Sequence, residues 1–456
     1  MPVNKRTGSY KIDMCSGPIV SRLLLFTGPL VASSVLQLLF NAADVIVVGK
    51  YAGDDSLAAV GSVVPLINLL ISLFMGLSIG CNVLASRYYG SKDADRLSET
   101  VHTSMLVSLF SGIVLTIIGT CFSTRILIWM DSPPETLPLA SLYLRIYFLG
   151  MPASMVYNFG SALLRAVGDT RRPMYYLTAA GVVNVILNLF FVISLKMDVA
   201  GVATATVISQ VISAYLVTRC LMREKGSLKL VLSKLSINRH IMIRIFRIGL
   251  PASFQSMLFS ISNVIIQSSV NGFGATVVAG NSAAMNIEGF VYVSMNAFYQ
   301  ACISFVSANI GARKYERINR IVARALVCVS VTGMILGGSA YLFGHSLLSL
   351  YTNSETVIAA GMKRMMFISL PYFLCGIMDT MVGALRGLGY AVLPMIVSLV
   401  GACGLRLLWI FTLFRMPRFH GTEYLYVTYP VSWTVTFLAH VVCYIIVKKK
   451  FDESHR

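Results

Sequence analysis

Leu164-Arg165-Ala166-Val167-Gly168-Asp169-Thr170-Arg171-Arg172-Pro173 is a polar, basic turn between two long apolar runs, and its outline returns as Leu385-Arg386-Gly387-Leu388-Gly389, closing at Pro394. The two arginines and the two prolines are each 221 residues apart (386−165 and 394−173). The same distance separates Gly28 from Gly249, Gly90 from Gly311 and Arg96 from Arg317. Solenoids repeat every 20–50 residues or so, so a single long-period duplication means two copies of a bundle. In a membrane chain, duplicated halves usually flank a substrate path and rock about it.

Composition places the chain in a membrane. Hydrophobic residues make up 56% and charged residues 12%, against roughly 25% charge in a soluble domain. Twelve apolar stretches, from Leu23–Val48 to Tyr426–Val447, approach or exceed the roughly 20 residues that cross about 30 Å of hydrocarbon. The fourth is Leu139–Leu164 and the tenth Val357–Leu385. Six precede and six follow a Lys/Arg/Ser-rich segment. The expected fold is therefore an all-α integral membrane protein of twelve transmembrane helices in two pseudo-symmetric six-helix lobes. Residues 1–221 and 245–456 form the lobes, joined by a linker over 222–244 on the cytoplasmic face.

With both termini in the cytoplasm, 28 of the 37 Lys and Arg fall in inner segments, among them Lys5, Arg6, Arg172, Lys314 and Arg456, as the positive-inside rule requires. The net charge of +18 is then a topology signal, and it needs no nucleic-acid partner; attraction to anionic membrane lipids is a by-product. The polar, basic first two dozen residues lack a short apolar core and cleavage site, so no cleaved signal is expected and the first helix serves for insertion into the cell membrane. Nine scattered cysteines contain no CxxC pair, which points to packing residues rather than disulfides or zinc. HExxH and P-loop patterns are missing from the sequence, and its one GxSxG match, Gly76-Leu77-Ser78-Ile79-Gly80, lies inside a long apolar run and is no strand-to-helix elbow, so an enzyme is not expected, and without an ATP site transport must draw on an ion gradient.

Asn41-Ala42-Ala43-Asp44-Val45-Ile46-Val47-Val48-Gly49 with Leu57-Ala58-Ala59-Val60-Gly61, the paired turns quoted above, and Gly201-Val202-Ala203-Thr204-Ala205-Thr206 resemble the multidrug and toxic compound extrusion (MATE) family, in its DinF-like branch. The resemblance spans the whole chain. It implies a secondary transporter whose two lobes form a V around a central cavity, exporting amphipathic or cationic small molecules in exchange for protons or sodium, with no other cofactor. A functional monomer is expected, since one chain holds both lobes. The rival is a flippase for lipid-linked oligosaccharide, from a related superfamily. Such proteins hold pyrophosphate in an arginine-rich cavity, whereas the intramembrane charges here are mostly acidic.

Asp44 is the leading site candidate, because a carboxylate within a span is costly and marks ion pathways. Ser34, Gln37, Asn41 and Asp44 share one helical face by their three- and four-residue spacing. Asn184 and Asn188 are likewise neighbours, with Gly181 one turn earlier allowing close approach. The resemblance implies that Asp44, Asn184, Asn188 and Thr206 form a cation site; position 188 is commonly aspartate in the family, and its replacement by asparagine leaves proton and sodium coupling both open. In the second half, aligning Pro29 with Pro251 places Ile266 on Asp44 (266−44 = 222), so this site belongs to the first half. Asn158 and Asp379 lie seven residues before Arg165 and Arg386 respectively. Glu288 and Asp379 are candidates for binding a cationic substrate or a second ion, or for structural pairing with Arg406. Gln37, Asn41, Asn158, Asn263, Glu288 and Asp379 are taken as the substrate pathway. Pro29, Pro65, Pro152, Pro251 and Pro371 fall inside spans, where a missing amide donor favours a kink.

Overall fold

The computed structural model describes residues 10–130 and 134–453; Lys5, Arg6 and Arg456 of the orientation argument lie outside them. The first repeat runs α1 (Ile19–Tyr51), α2 (Asp54–Ser91), α3 (Ala94–Trp129), α4 (Leu137–Leu149), α5 (Met151–Ala166), α6 (Arg171–Leu189) and α7 (Asp198–Arg223). The second runs α8 (Arg239–Asn271), α9 (Ala275–Gly311), α10 (Tyr315–Leu342), α11 (Gly344–Ser349), α12 (Glu355–Ile368), α13 (Phe373–Gly387), α14 (Val392–Ser398), α15 (Leu405–Phe411), α16 (Thr422–Tyr426) and α17 (Thr428–Glu453). Among the described residues eleven helical segments are long and apolar enough to span a membrane, and the bent pair α4–α5 brings the number to twelve. Their outer surface is itself apolar, with Ile46, Phe110, Trp129, Val264, Leu342 and Val400 more than half exposed, as contact with lipid demands and contact with water would penalise.

The backbone carries the same 221-residue period as the sequence. Left-handed conformations recur in pairs: Gly53 and Gly274 (φ 87° and 92°), Lys92 and Arg313 (58° and 56°), Gly168 and Gly389 (86° and 99°). Gly53 and Gly274 occupy the same place, immediately before α2 and α9, where an L side chain would be strained.

Two expected spans are interrupted. The stretch read as one helix over Leu139–Leu164 divides at Gly150, where α4 and α5 meet at 47°. Pro152, in the first turn of α5, lacks the amide that would carry the hydrogen-bond ladder across the break. A Cβ on Gly150 would also lie 2.2 Å from Gln210 Oε1, so the bend brings bare backbone against α7. Pro371 distorts the tenth span more mildly, through the 3-10 turn Leu370–Tyr372 within Glu355–Gly387, which still passes as one span. Pro29, Pro65 and Pro251 instead sit inside helices that continue past them. A π-helical turn over Leu399–Gly404 follows α14, and such a bulge accommodates one extra residue.

The chain forms two compact units. One takes the described residues up to Asp13 and then Ala32–Leu250; the other takes Met14–Val31 and everything from Pro251 on. The boundaries thus fall inside α1 and α8, close to Pro29 and at Pro251. In the second unit Met14 O accepts from Asn309 Nδ2 at 3.0 Å, Arg317 Nη2 donates to the Ser16 and Gly17 carbonyls at 2.8 and 2.7 Å, and Phe26 meets Phe305 edge-on at 5.5 Å. In the first unit the segment before α8 does the corresponding job: Val231 N donates to His102 Nε2 at 3.1 Å and Asn238 N to Thr103 Oγ1 at 3.0 Å. Each unit has its own apolar core. That of the first gathers Val60, Ile67, Leu115, Tyr143, Leu144 and Phe148, and those of the second include Ile287, Met295 and Phe298, and Ile266, Ile410 and Trp433.

Candidate functional site

In the first unit α1, α6 and α7 bring four of the expected residues into one hydrogen-bonded chain. Asn188 Nδ2 donates to Asp44 Oδ1, and also to Asn184 Oδ1 at 3.4 Å; Asn184 Nδ2 in turn donates to Thr206 Oγ1 at 3.4 Å. Thr206 Oγ1 donates to the Val202 carbonyl at 2.9 Å, which orients its lone pairs toward Asn184. The approach of α1 to α6 depends on Gly181: a Cβ there would lie 1.9 Å from the Phe40 ring. Asn188 is fully buried and Asn184 nearly so, while Asp44 is half-buried, so the chain runs from an accessible acid to an enclosed amide pair.

The donor set is made of hard oxygens. Asp44 supplies two carboxylate oxygens, the asparagines their amide carbonyls and Thr206 a hydroxyl, which suits a small hard cation. Asn188 Oδ1 is buried without a hydrogen-bond partner among the described residues, and such an orphan acceptor is costly unless something positive binds it. A proton on Asp44 would neutralise the same single charge.

Gln37 and Asn41 lie exposed on the same helix, a turn or two from Asp44. Asn158 directs its amide to its own helix, donating to the Ser154 carbonyl at 2.8 Å, and no hydrogen bond among the described residues ties it to Asp44.

The second unit holds a different polar cluster. Glu288 Oε2 accepts from Arg364 Nη2 at 2.7 Å and Nε at 3.2 Å, Glu288 Oε1 accepts from Ser369 Oγ at 3.3 Å, and Arg364 Nη1 donates to Asn281 Oδ1 at 2.7 Å. All four side chains are buried. The structural partner expected for Glu288, Arg406, is engaged elsewhere: its Nε donates to Ser432 Oγ at 2.8 Å and its guanidinium lies 4.2 Å from the Tyr429 ring centre. Arg364 was the residue sequence reasoning missed. Its signal was present, since it is an intramembrane cation inside the Val357–Leu385 run and requires a counter-charge. Asp379, half-buried on α13, lies in the field of Arg386 and Arg406. A cavity of about 360 Å³ opens beside Glu288 and Arg364, with exposed Asn263 on its wall.

At the basic turn after α5, Arg172 donates to Asp169 and to Glu224, and Lys11 Nζ reaches Glu224 at 2.7 Å. Burial raises the Glu224 carboxyl, but the hydrogen bonds and charges of Lys11 and Arg172 more than offset it and hold the group below the usual carboxylate range. Arg172 thus anchors this turn. Arg386 instead turns inward, donating to Tyr299 Oη and to Gln255 Oε1 at 2.8 Å.

Comparison with known proteins places these features. The family model MatE matches residues 29–190 and again 251–412, once per repeat. The probable multidrug resistance protein YoeA of Bacillus subtilis is 29% identical over 95% of this chain and 96% of its own length. The multidrug export protein MepA of Staphylococcus aureus is 20% identical over 75% of each chain. Among solved structures, the outward-facing conformation of a multidrug resistance MATE family transporter of the MOP superfamily superposes with a TM-score of 0.88 at 22% identity, covering 97% of this chain and all of that one.

Proposed function

The chain belongs to the MatE family, the multidrug and toxic compound extrusion transporters, and from that premise we propose that it is an efflux antiporter that expels amphipathic or cationic small molecules against an inward flow of protons or sodium. It works by alternating access as a monomer of the cell membrane, with both termini in the cytoplasm, in the DinF-like branch. The observation that carries this reading is the Asp44–Asn188–Asn184–Thr206 chain within a membrane span.

Its chemistry follows from charge counting. One carboxylate can be neutralised once, by an organic cation, by a proton or by sodium with the amide and hydroxyl oxygens completing its shell. Ion and substrate therefore exclude each other at Asp44 through charge, even where they do not overlap in space. That mutual exclusion is antiport: influx of the ion discharges the acid and releases the cation outward. A one-for-one exchange of a monovalent ion for a monocation moves no net charge and is driven by the ion's concentration gradient, whereas export of a neutral molecule would add about 2.3 kcal/mol per 100 mV of membrane potential. Pro29, on the same helix as Asp44, leaves a gap in the backbone ladder at which α1 can bend, coupling occupancy of the acid to the conformational change. A lipid-linked oligosaccharide fits less well: Arg364, the cation beside the cavity, is already paired with Glu288.

The test is transport by full-length protein in proteoliposomes, following a lipophilic cationic dye under an imposed pH gradient or an imposed sodium gradient. The expected result is dye movement driven by one of the two gradients and lost in Asp44→Asn. No movement under either gradient would sink the antiport reading and bring the lipid-linked substrate forward.

A further inference from the structure

The 221-residue register turns the polar cluster of the second unit into a comparison. Asn281, Glu288, Arg364 and Ser369 fall on Val60, Ile67, Tyr143 and Phe148 (281−60, 288−67, 364−143 and 369−148 are all 221). These four counterparts are buried members of one apolar core in the first unit. The fold can therefore fill these positions with packed hydrocarbon, and the second unit fills them with an ion pair and its two supporting hydrogen bonds. Exchange runs the other way at the Asp44 site. With Pro29 aligned on Pro251, Asp44 falls on Ile266, and beyond the π-turn of the second repeat Asn188 falls on Ile410, Asn184 on Arg406 and Thr206 on Thr428 (266−44, 410−188, 406−184 and 428−206 are all 222); both isoleucines are apolar core. The acid of the Asp44 site and its hydrogen-bond partner Asn188 are thus replaced by apolar core in the second unit, and the Glu288–Arg364 cluster by apolar core in the first.

A buried ion pair is not retained for stability, since apolar residues of similar volume serve as well or better. Here it has a neighbour that does explain it. The cavity beside it, about 360 Å³, is lined by Glu288, Arg364, Tyr292, Tyr372, Tyr429 and Gln267 among others, a size that falls at the low end of the roughly 300–1,000 Å³ typical of small-molecule sites. Tyr292 stacks on Tyr372 (centroids 6.5 Å, planes 27° apart), and Tyr372 stacks on Trp433 (5.3 Å, 28°). Tyr292 is 39% exposed, so this aromatic ladder presents a free ring face or edge to an incoming ring. The ion pair sums to zero charge, and Arg364 spends Nε, Nη1 and Nη2 on Glu288 and Asn281.

We infer that this cavity is a second substrate subsite, selective for planar aromatic molecules of no net charge, whether neutral or zwitterionic. The inference rests on the efflux reading given above. A ring extends the Tyr292–Tyr372 stack, its neutral polar groups meet Gln267 and Asn263, and the balanced dipole of Glu288 and Arg364 favours a zwitterion; Asp379, the acid whose charge reaches Tyr292, itself lies in the field of Arg386 and Arg406. Organic cations are left to Asp44. The two polar sites then divide substrates by charge.

Equilibrium binding to the full-length protein in lipid nanodiscs tests this with two fluorescent probes on one ring system, aminoacridine as a monocation and its ring-carboxylated analogue as a zwitterion. Wild type is expected to bind the zwitterion with an affinity that falls about three- to tenfold in Tyr292→Ala, the worth of one aromatic contact. In an Asp44→Asn background, where the monocation can report on this cavity, Arg364→Gln, which uncovers Glu288, is expected to reverse the preference toward the monocation by at least about tenfold, and Glu288→Gln is not. Should Arg364→Gln fail to fold, Tyr292→Ala, altered at an exposed ring, and Val264→Trp, which blocks the cavity mouth, decide alone by weakening the zwitterion. Zwitterion binding indifferent to both of these overturns the inference, as does a wild-type preference for the monocation that Glu288→Gln abolishes. Because binding is read without a gradient, failure of gradient-driven transport would count against the efflux reading and leave this result standing.

Discussion

Substituting Gly181→Ala should disable the Asp44 site without touching any of its polar atoms. A Cβ at Gly181 lies 1.9, 2.2 and 2.4 Å from three carbons of the Phe40 ring, while carbon atoms in contact sit about 3.5–4.0 Å apart. The ring or the helix carrying it must give by about 1.6 Å, the shortfall from ordinary contact. Phe40 is one turn before Asp44, and Gly181 two turns before Asn188, so movement of α1 is passed directly to the Asn188–Asp44 hydrogen bond. A shift of that size exceeds the few tenths of an ångström between a good hydrogen bond and none. Overpacking should cost about 1–3 kcal/mol of stability, and loss of a hydrogen bond to a charged group about 1.5–3 kcal/mol, or roughly ten- to hundredfold in cation affinity. Dye binding and thermal unfolding in nanodiscs measure both. Adding Phe40→Ala to Gly181→Ala gives the new methyl room and should recover most of the affinity. A single variant with wild-type affinity and melting temperature, or a double variant no better than the single, would refute the reasoning.

Other outcomes follow from the same structure. Arg364→Gln or Glu288→Gln alone should destabilise by about 3–5 kcal/mol, because each leaves a buried charge unpaired, whereas Glu288→Ile with Arg364→Tyr, which installs the first repeat's residues, should be neutral or stabilising by up to about 4 kcal/mol; denaturant titration in detergent ranks the three. Glu224→Gln should lower the melting temperature at neutral pH. Since the Glu224 carboxyl is depressed in the folded chain relative to its ordinary 4.5, its contribution is fully present above that value and is lost as the pH falls through the lower, folded value, so the two proteins should converge in acid. Pro29→Ala should slow gradient-driven efflux severalfold while leaving equilibrium dye binding near wild type; unchanged transport would remove the hinge role from α1.

The repeat and the spans were legible because both are written in one dimension. A 221-residue period needs only matching residues at matching distances, and lipid forces each crossing to be apolar over its length. The Asp44 network was likewise visible, since three- and four-residue spacing puts side chains on one helical face, although only the resemblance joined α1 to α6 and α7. The break at Gly150 was hidden because hydropathy does not change across it; only the pairing of a glycine with a proline two residues later hints at it. The pairing of Glu288 with Arg364 was missed because it joins helices 76 residues apart, a distance at which spacing carries no information. Comparing the repeats position by position would have exposed it, as Val60, Ile67, Tyr143 and Phe148 stand against Asn281, Glu288, Arg364 and Ser369. The division of α1 and α8 between the two units leaves no mark in composition at all, beyond the prolines near each boundary.

Competition at equilibrium tests the central claim most directly, that ion and organic cation exclude each other at Asp44. Dye affinity for the purified protein would be measured across rising acidity at fixed sodium, and across rising sodium at fixed pH. The expected result is that one of the two ions weakens dye binding in proportion to its concentration, and that Asp44→Asn binds the dye weakly and indifferently to both. Dye affinity in the wild type that ignores both ions, or keeps its full ion dependence in Asp44→Asn, would contradict the account.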